Sequence, residues 1–355
     1  MKVFKKILLI LAIILGVVLL AVVGLFTYLT ITEFRPEPEE AVAVEKDRTQ
    51  PLDKNLITVL SWNVGYGSLG KESDFFMDGG SQVRPDSKST VEKNLAGIES
   101  LVRATSPDFF LLQEVDSGSK RSYGIDEVAT LTAAGDWTSS YAMNFSCNYV
   151  PYPFPTIGKV RSGLLTLSQY HVAEATRISL PCPFSWPVSM ANLKRCLLVN
   201  RIPIQGSDKE LVLVNLHLEA YDDGEGKLAQ SQQLREYLEA EYQKGNYVLA
   251  GGDWNQIFPR SEDTWPNSHV DLWTPGYLDE AELSSGWQYV WDDKVPTCRL
   301  LNQPYDPTDN VGTQYYVIDG FLASPNLTVA SVSTLDMGFA NSDHNPVQLV
   351  IQLGD

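Results

Sequence analysis

Asp253 and Asn255 close a short apolar run, Val248-Leu249-Ala250-Gly251-Gly252, and stand two residues apart. On an extended backbone such residues point the same way. A carboxylate held beside a carboxamide can position or deprotonate water and donate hydrogen bonds to an anionic group. Taken alone, Gly-Gly-Asp is equally a common strand-to-loop turn. Five further stretches have the same form: Trp62-Asn63, Gln113-Glu114, Asn215-Leu216-His217, Ile318-Asp319-Gly320 and Ser342-Asp343-His344. Each puts polar residues of functional type at or beside the end of an apolar run. A polar strand exit explains any one of them. Six in succession point to convergence at one edge of a sheet. Of the four histidines, His171 and His269 carry no such motif.

These residues need strands to carry them and helices to pack the strands. Leu56–Trp62 reads as the first strand. The glycine-rich Gly65–Gly70 that follows matches neither the P-loop nor the dinucleotide pattern. Val91, Leu95, Ile98 and Val102 fall on one face of a helix over Ser89–Ala104. Phe109–Glu114 reads as a buried strand ending in a carboxylate, and a second helix is expected near Asp126–Ala134. Tyr141–Pro155, rich in Tyr, Phe and Pro, reads as an irregular loop. Further strands are expected at Val160–Ser168, Arg195–Ile204 and Glu210–Leu218, the last two joined by a Gly-Ser-Asp turn. The helix Leu228–Tyr242 ends at Gly245 and leads into the strand Asn246–Gly252. Final strands read at Tyr315–Leu322, Leu327–Val332 and Val347–Leu353. The alternation suggests α/β layers around one core.

The 355 residues are long and apolar enough to bury a large core, with 44% hydrophobic residues. The N-terminus differs in kind. Ile7–Phe26 is twenty residues without a charge, preceded by Lys2, Lys5 and Lys6. That is a membrane-spanning length, and the positive-inside rule puts the N-terminus in the cytoplasm. An uncleaved anchor competes with a cleaved signal peptide, whose apolar region is usually shorter. Residues 1–6 then form a cytoplasmic tail, 7–31 the anchor, 32–54 a flexible proline-containing stalk and 55–355 the folded domain. The reading places the protein in the cell membrane, single-pass, with its bulk outside the cytoplasm. Net charge is −17, and the first 31 residues hold three lysines and no acids, so the remainder carries −20. So acidic a domain disfavours non-specific binding of duplex DNA, although a bound cation changes local charge. Cys147, Cys182, Cys196 and Cys298 form no Cys-x-x-Cys pair, and disulfides and buried thiols both remain open.

The ordered set of strand-end motifs, from Leu56 to Leu353, resembles the endonuclease/exonuclease/phosphatase superfamily with its deoxyribonuclease-I-like fold. The resemblance implies an α/β (α+β) four-layer sandwich: two packed mixed β-sheets flanked by helices, here after one transmembrane helix. It implies hydrolysis of a phosphodiester or phosphomonoester with Mg²⁺ or a similar cation such as Mn²⁺ or Ca²⁺. The residue chemistry agrees. Glu114, with Asn63 and Asp343, makes an oxygen-rich set suited to Mg²⁺. Asp319 is a partner for His344 that fixes its tautomer. Asp253 is the candidate to orient or deprotonate water. Asn255 and His217 would bind non-bridging phosphate oxygens, and Arg161 or Lys159 would reach the substrate phosphate. The long insertion after Asn63 either covers the site or is a surface loop. A lipid headgroup or small phosphoester fits the tether and the charge better than nucleic acid. A nuclease and a non-catalytic binding module are the alternatives, while a zinc hydrolase lacks its histidine-rich ligand set. No obligate protein partner is expected.

Overall fold

In a computed structural model, residues 2–222, 224–309 and 312–354 are described. Helix α1 (Lys2–Ile31) is apolar all round and its side chains are exposed along nearly its whole length. It is long and apolar enough to cross a membrane. The folded unit that follows is built on two seven-stranded mixed sheets packed face to face.

The strands that matter most, in chain order, are β1 (Glu39–Ala41), β2 (Val44–Glu45), β3 (Leu56–Asn63), β4 (Phe109–Asp116) and β5 (Thr138–Val150). They continue with β6 (Gly158–Ser168), β7 (Glu174–Ser179), β8 (Cys196–Pro203), β9 (Glu210–His217) and β10 (Tyr247–Asp253). One sheet runs β1-β7-β8-β9-β10 and then takes Asp319–Ala323 and Gln288–Val290. The other runs from Leu327–Thr334 through Val347–Leu353 to β3-β4-β6-β5-β2.

Why β3, β4, β9 and β10 read as continuous apolar runs follows from their burial on both faces. Ile57, Val59, Phe109, Leu111, Leu211, Leu213 and Leu249 point into the core between the sheets. Their neighbours Leu60, Trp62, Phe110 and Leu112 face outward, against α2 (Lys88–Thr105) and α3 (Glu127–Thr132). Val212, Val214, Val248 and Ala250 face α4 (Glu225–Gln243) on the opposite side. The result is four layers: helices, sheet, sheet, helix.

Each sheet contains one parallel pair, β3 with β4 and β9 with β10. Parallel neighbours need a crossover, and α2 and α4 supply the two. Both pairs therefore present their C-terminal ends at the same edge of the sandwich, the edge where open α/β sheets place their ligands. Gln113 and Asn215 bind the two ends together: Gln113 Nε2 donates to Asn215 Oδ1 at 2.8 Å, and Asn215 Nδ2 donates to the Leu112 carbonyl at 3.2 Å.

Gly252 has a specific reason to be glycine. Its φ is +152°, and a Cβ there would sit 1.9 Å from the Leu216 carbonyl oxygen on the adjacent strand. Gly252→Ala is expected to destabilise the fold by more than about 2 kcal/mol. A fall in the urea midpoint of the detergent-solubilised protein measures it; an unchanged midpoint contradicts this packing.

Four sequence expectations are corrected. Tyr141–Pro155 is not an irregular loop, since Thr138–Val150 is a thirteen-residue strand. Its Tyr and Phe are strand formers that pack on a pleated surface, and the prolines begin only at Pro151. Tyr315–Leu322 is two strands: Tyr315–Tyr316 pairs with Cys298–Arg299, and Asp319–Ala323 enters the first sheet. The strand β7 was not expected, because two of its six residues are charged. The segment 32–54 is also no free stalk. Residues 39–41 pair with β7 and residues 44–45 with β5, so the segment straps an edge of each sheet. Leu52 is fully buried, and the Asp47 carboxylate pairs with His171 Nδ1 at 2.7 Å. Backbone pairing holds this strap, which is why it shows no apolar periodicity.

Candidate functional site

His217, Asp253 and Asp319 lie side by side because three strands place them in register. Asp253 at the end of β10 is opposite His217 at the end of β9 and opposite Asp319 at the start of its strand. The second sheet contributes Asn63 at the end of β3 and Glu114 just beyond its parallel partner residue. Glu114 sits where the β4–β6 register shifts, with φ +55°. A glutamate in the left-handed region is strained by about 1–3 kcal/mol, an arrangement typical of functional sites. The bulge turns its carboxylate out of the strand alternation.

The loop before the last strand supplies Asp343 and His344. Ser342 Oγ donates to the Asn63 carbonyl at 2.7 Å, and the Trp62 indole donates to the His344 carbonyl at 2.8 Å. These bonds dock the loop on β3. Trp254 acts similarly, donating to the Gly320 carbonyl at 3.1 Å.

His344 Nδ1 is 2.8 Å from Asp319 Oδ2, and its Nε2 is 3.8 Å from Asp253 Oδ2. Asn63 Nδ2 donates to Asp253 Oδ2 at 2.9 Å and to Glu114 Oε1 at 3.3 Å. His217 Nε2 is 3.3 Å from Asp253 Oδ2. The Asn255 N–H donates to Asp253 Oδ1 at 2.9 Å, and Asn255 Nδ2 donates to the Leu218 carbonyl at 2.9 Å. That uses one of the two side-chain N–H bonds of Asn255 and leaves the other.

The electrostatics separate the two histidines. Burial drives His217 well below the ordinary histidine range, and Arg195 and His344 push it further. It is the neutral imidazole. Burial also works against charge on His344, but Asp319, Cys298, Asp253 and Asp343 outweigh it and hold its pKa well above the ordinary value. It is the imidazolium. Burial raises the Asp253 carboxyl to about 6, opposed by His344 and reinforced by Asp319. Burial likewise raises Asp343 to about 7, opposed by His344 and reinforced by Glu114.

These shifts mark a site with more carboxylate than counter-charge. Among the described residues Glu114 pairs with no lysine or arginine, and its nearest basic group is His217 Nε2 at 3.9 Å. Glu114 and Asp343 form a hard-oxygen donor pair that fits a divalent cation, while Asn63 turns its Nδ2 toward Glu114 and its Oδ1 accepts from the Gly65 N–H at 3.0 Å. Donor atoms of Asp253, Asp319 and His344 also fall within 4.8 Å of one another. There the hydrogen bond between His344 and Asp319 already occupies one lone pair and one ring nitrogen. The Glu114 and Asp343 carboxylates are the freer donors.

Glu114, His217, Asp253, Asn255, Asp343 and His344 all line one cavity of about 600 Å³. Asn63 and Asp319 are buried behind them and hold them. Arg161 does not join them: its guanidinium binds Ser146 and Asn148 on β5. Arg195 takes the place expected for a basic residue. It is 3% exposed, lines the cavity, and its Nε and Nη1 make no hydrogen bond among the described residues. It forms an ion pair with Glu219 Oε2, at 3.5 Å. Arg121, also in the wall, is committed to Asp116 and stacks over Tyr66. The insertion after Asn63 does cover the site, since Phe75, Phe76, Met77 and Asp78 line the cavity. Asp78 accepts from Tyr221 at 2.9 Å. No strand-end pattern marked Arg195 or Tyr221. A buried arginine beginning an apolar strand was the available signal.

Several solved structures share this architecture. The chain is similar to an endonuclease/exonuclease/phosphatase from Beutenbergia cavernae, with 18% identity over 85% of this chain and 72% of that one, and a TM-score of 0.59. It is similar to one from Bacteroides vulgatus, with 13% identity over 84% of this chain and 100% of that one, and a TM-score of 0.55. A family protein from Leptotrichia buccalis gives 15% identity, 84% and 100% coverage and a TM-score of 0.52. At such identities the likeness is one of fold. No curated protein matches the chain. The model of the endonuclease/exonuclease/phosphatase family matches residues 60–344, spanning every strand-end site residue from Asn63 to His344. The chain therefore belongs to the endonuclease/exonuclease/phosphatase family, whose members are hydrolases of phosphoester bonds.

Proposed function

We propose that the protein is a membrane-anchored, divalent-metal-dependent phosphoesterase that acts outside the cytoplasm, on a lipid headgroup or small phosphoester. The observation that carries the reading is the meeting of Glu114, His217, Asp253, Asp343 and His344 in one cavity at the C-terminal ends of both parallel pairs. The family is generally dependent on divalent metal, and Glu114 and Asp343, steadied by Asn63, are the residues that would hold the ion. When bound, the cation neutralises phosphate charge and the charge developing on the leaving oxygen.

The chain's own groups do the rest. His344, held by Asp319 in one orientation, places a cationic N–H of Nε2 against the phosphate. Neutral His217 and the free N–H of Asn255 donate to the non-bridging oxygens. The Asp253 carboxylate orients water and takes its proton as the water oxygen bonds to phosphorus. The opposite P–O bond breaks in line, the departing alkoxide takes a proton from solvent water, and Asp253 returns its proton to solvent. No covalent intermediate is required. The lysines before α1 and the lack of a basic cluster close behind it support the outward orientation.

Charge and wall chemistry favour lipid over nucleic acid. The chain carries a net charge of −17, and Arg195, whose Nε and Nη1 make no hydrogen bond among the described residues, lines the same cavity as His217. Full-length protein in nanodiscs, given sphingomyelin, phosphoinositides, plasmid DNA and RNA with Mg²⁺, is expected to release product from the lipids and leave the plasmid intact. Plasmid nicking at catalytic enzyme levels would overturn that preference. Absence of any hydrolysis together with absence of Mg²⁺ binding would establish a non-catalytic module.

A further inference from the structure

The cavity that holds the catalytic cluster does not end there. Its far wall is formed by Leu25, Phe26 and Leu29, the last turns of the membrane-spanning helix. This end of α1 is fixed to the domain. Leu29 is 3% exposed and packs with Phe145, Val160 and Met190. Thr30 Oγ1 contacts Met190 Sδ at 2.9 Å and accepts from the Trp186 indole at 3.2 Å. Directly after the helix, Glu33 pairs with Lys194 at 2.9 Å. Burial opposes charge on Glu33, yet Lys194 and Arg35 hold its carboxyl below the usual range.

The two arms of the cavity differ in chemistry. The catalytic arm is lined by carboxylates and histidines. The arm toward α1 is walled by Leu29, Phe145, Val150, Ile157 and Met190. Around it the surface is unusually apolar: Tyr152, Phe154, Trp186 and Val188 are between 56% and 87% exposed. Phe26 and Trp186 meet edge to face at 6.0 Å, so the helix and this rim are continuous. Aromatic and apolar side chains beside the end of a span lie at the bilayer interface. A water-facing enzyme would leave such a patch costly and without purpose.

We propose that the anchor helix is part of the substrate site: the substrate is a membrane amphiphile whose phosphoester sits at the catalytic cluster and whose hydrocarbon chain lies in the apolar arm against Leu25, Phe26 and Leu29. It enters sideways from the bilayer, between the last turns of α1 and the loop carrying Tyr152. The cavity volume of about 600 Å³ lies within the usual range for a ligand-sized pocket. The arm adds chain recognition to the phosphoesterase reading on which it rests. It also explains why residues 33–54 strap the domain close to the helix instead of letting it swing on a tether.

Two phosphodiesters with the same scissile group test it, p-nitrophenyl ethyl phosphate and p-nitrophenyl hexadecyl phosphate, with full-length protein in nanodiscs. Each methylene buried in the arm contributes up to about fourfold in affinity. The KM of the hexadecyl ester is expected to be at least tenfold below that of the ethyl ester. Filling the arm with Leu25→Trp and Ile157→Trp is expected to bring that ratio close to one. A ratio that stays above tenfold in the filled variant would overturn the proposal, since simple partitioning into the disc then explains the preference. A second measurement does not depend on hydrolysis or on the variant's folding. Hexadecyl phosphate with a diazirine at the chain end is expected to label wild-type peptides carrying Leu25, Leu29 or Met190. Labelling confined to the outward surface of α1, at Leu15 or Leu20, would contradict the arm. Labelling at the arm without cleavage of either ester would retain the binding site and reject the phosphoesterase reading.

Discussion

His344→Gln reduces phosphodiester hydrolysis by about a thousandfold or more, with the fold intact. Two losses combine. The substitution removes a cationic donor from a buried site, where one fixed donor to developing charge contributes roughly two to three orders of magnitude. It also breaks the 2.8 Å bond to Asp319, leaving both oxygens of that buried carboxylate without a side-chain partner. Asp319→Asn is expected to fall between this variant and wild type, because the imidazole stays but its orientation and charge are no longer secured. Equal activity of Asp319→Asn and wild type would remove the pair from the mechanism.

Glu114→Ala abolishes Mg²⁺-dependent turnover, by about a thousandfold or more, and also abolishes any stabilisation by Mg²⁺. Its stability without metal should not fall. The side chain belongs to a crowd of carboxylates, and its charge adds to burial in raising the Asp343 carboxyl. Removing one like charge relieves the others. Glu114→Gly goes further, because glycine accepts the φ of +55° without strain. A metal-free melting temperature at or above wild type, with no shift on adding Mg²⁺, is the expected signature. A large fall in the metal-free melt would instead make Glu114 structural.

Much of this arrangement is legible in the amino-acid sequence. The apolar runs ending in Asn63, Glu114, His217 and Asp253 are strands buried on both faces, so their residue types were strongly constrained. Crossover helices between parallel neighbours then bring their ends to one edge. Glu114 shows what was hidden. The sequence marks it as a strand-end carboxylate, but nothing local reveals that a bulge turns it toward Asp343. Arg161 and Arg195 exchanged the expected role because a strand's register decides which arginine faces the cavity, and register is a long-range property. The strap over residues 39–52 carries no sequence pattern for a related reason. Its hydrogen bonds belong to β5 and β7, so its own side chains need no pattern. The contact of Leu29 with the domain lies inside a segment whose apolarity already had a sufficient explanation in the bilayer.

The central claim is metal-dependent phosphoester hydrolysis at this one cluster. Its most direct test is hydrolysis of p-nitrophenyl ethyl phosphate by the full-length protein in nanodiscs, after EDTA treatment and through a Mg²⁺ titration, for wild type, Glu114→Ala and His344→Gln. The account predicts wild-type turnover that vanishes with EDTA and returns with Mg²⁺, and near-background rates for both variants at every Mg²⁺ concentration. Turnover that survives EDTA, or wild-type rates in both variants, would contradict it.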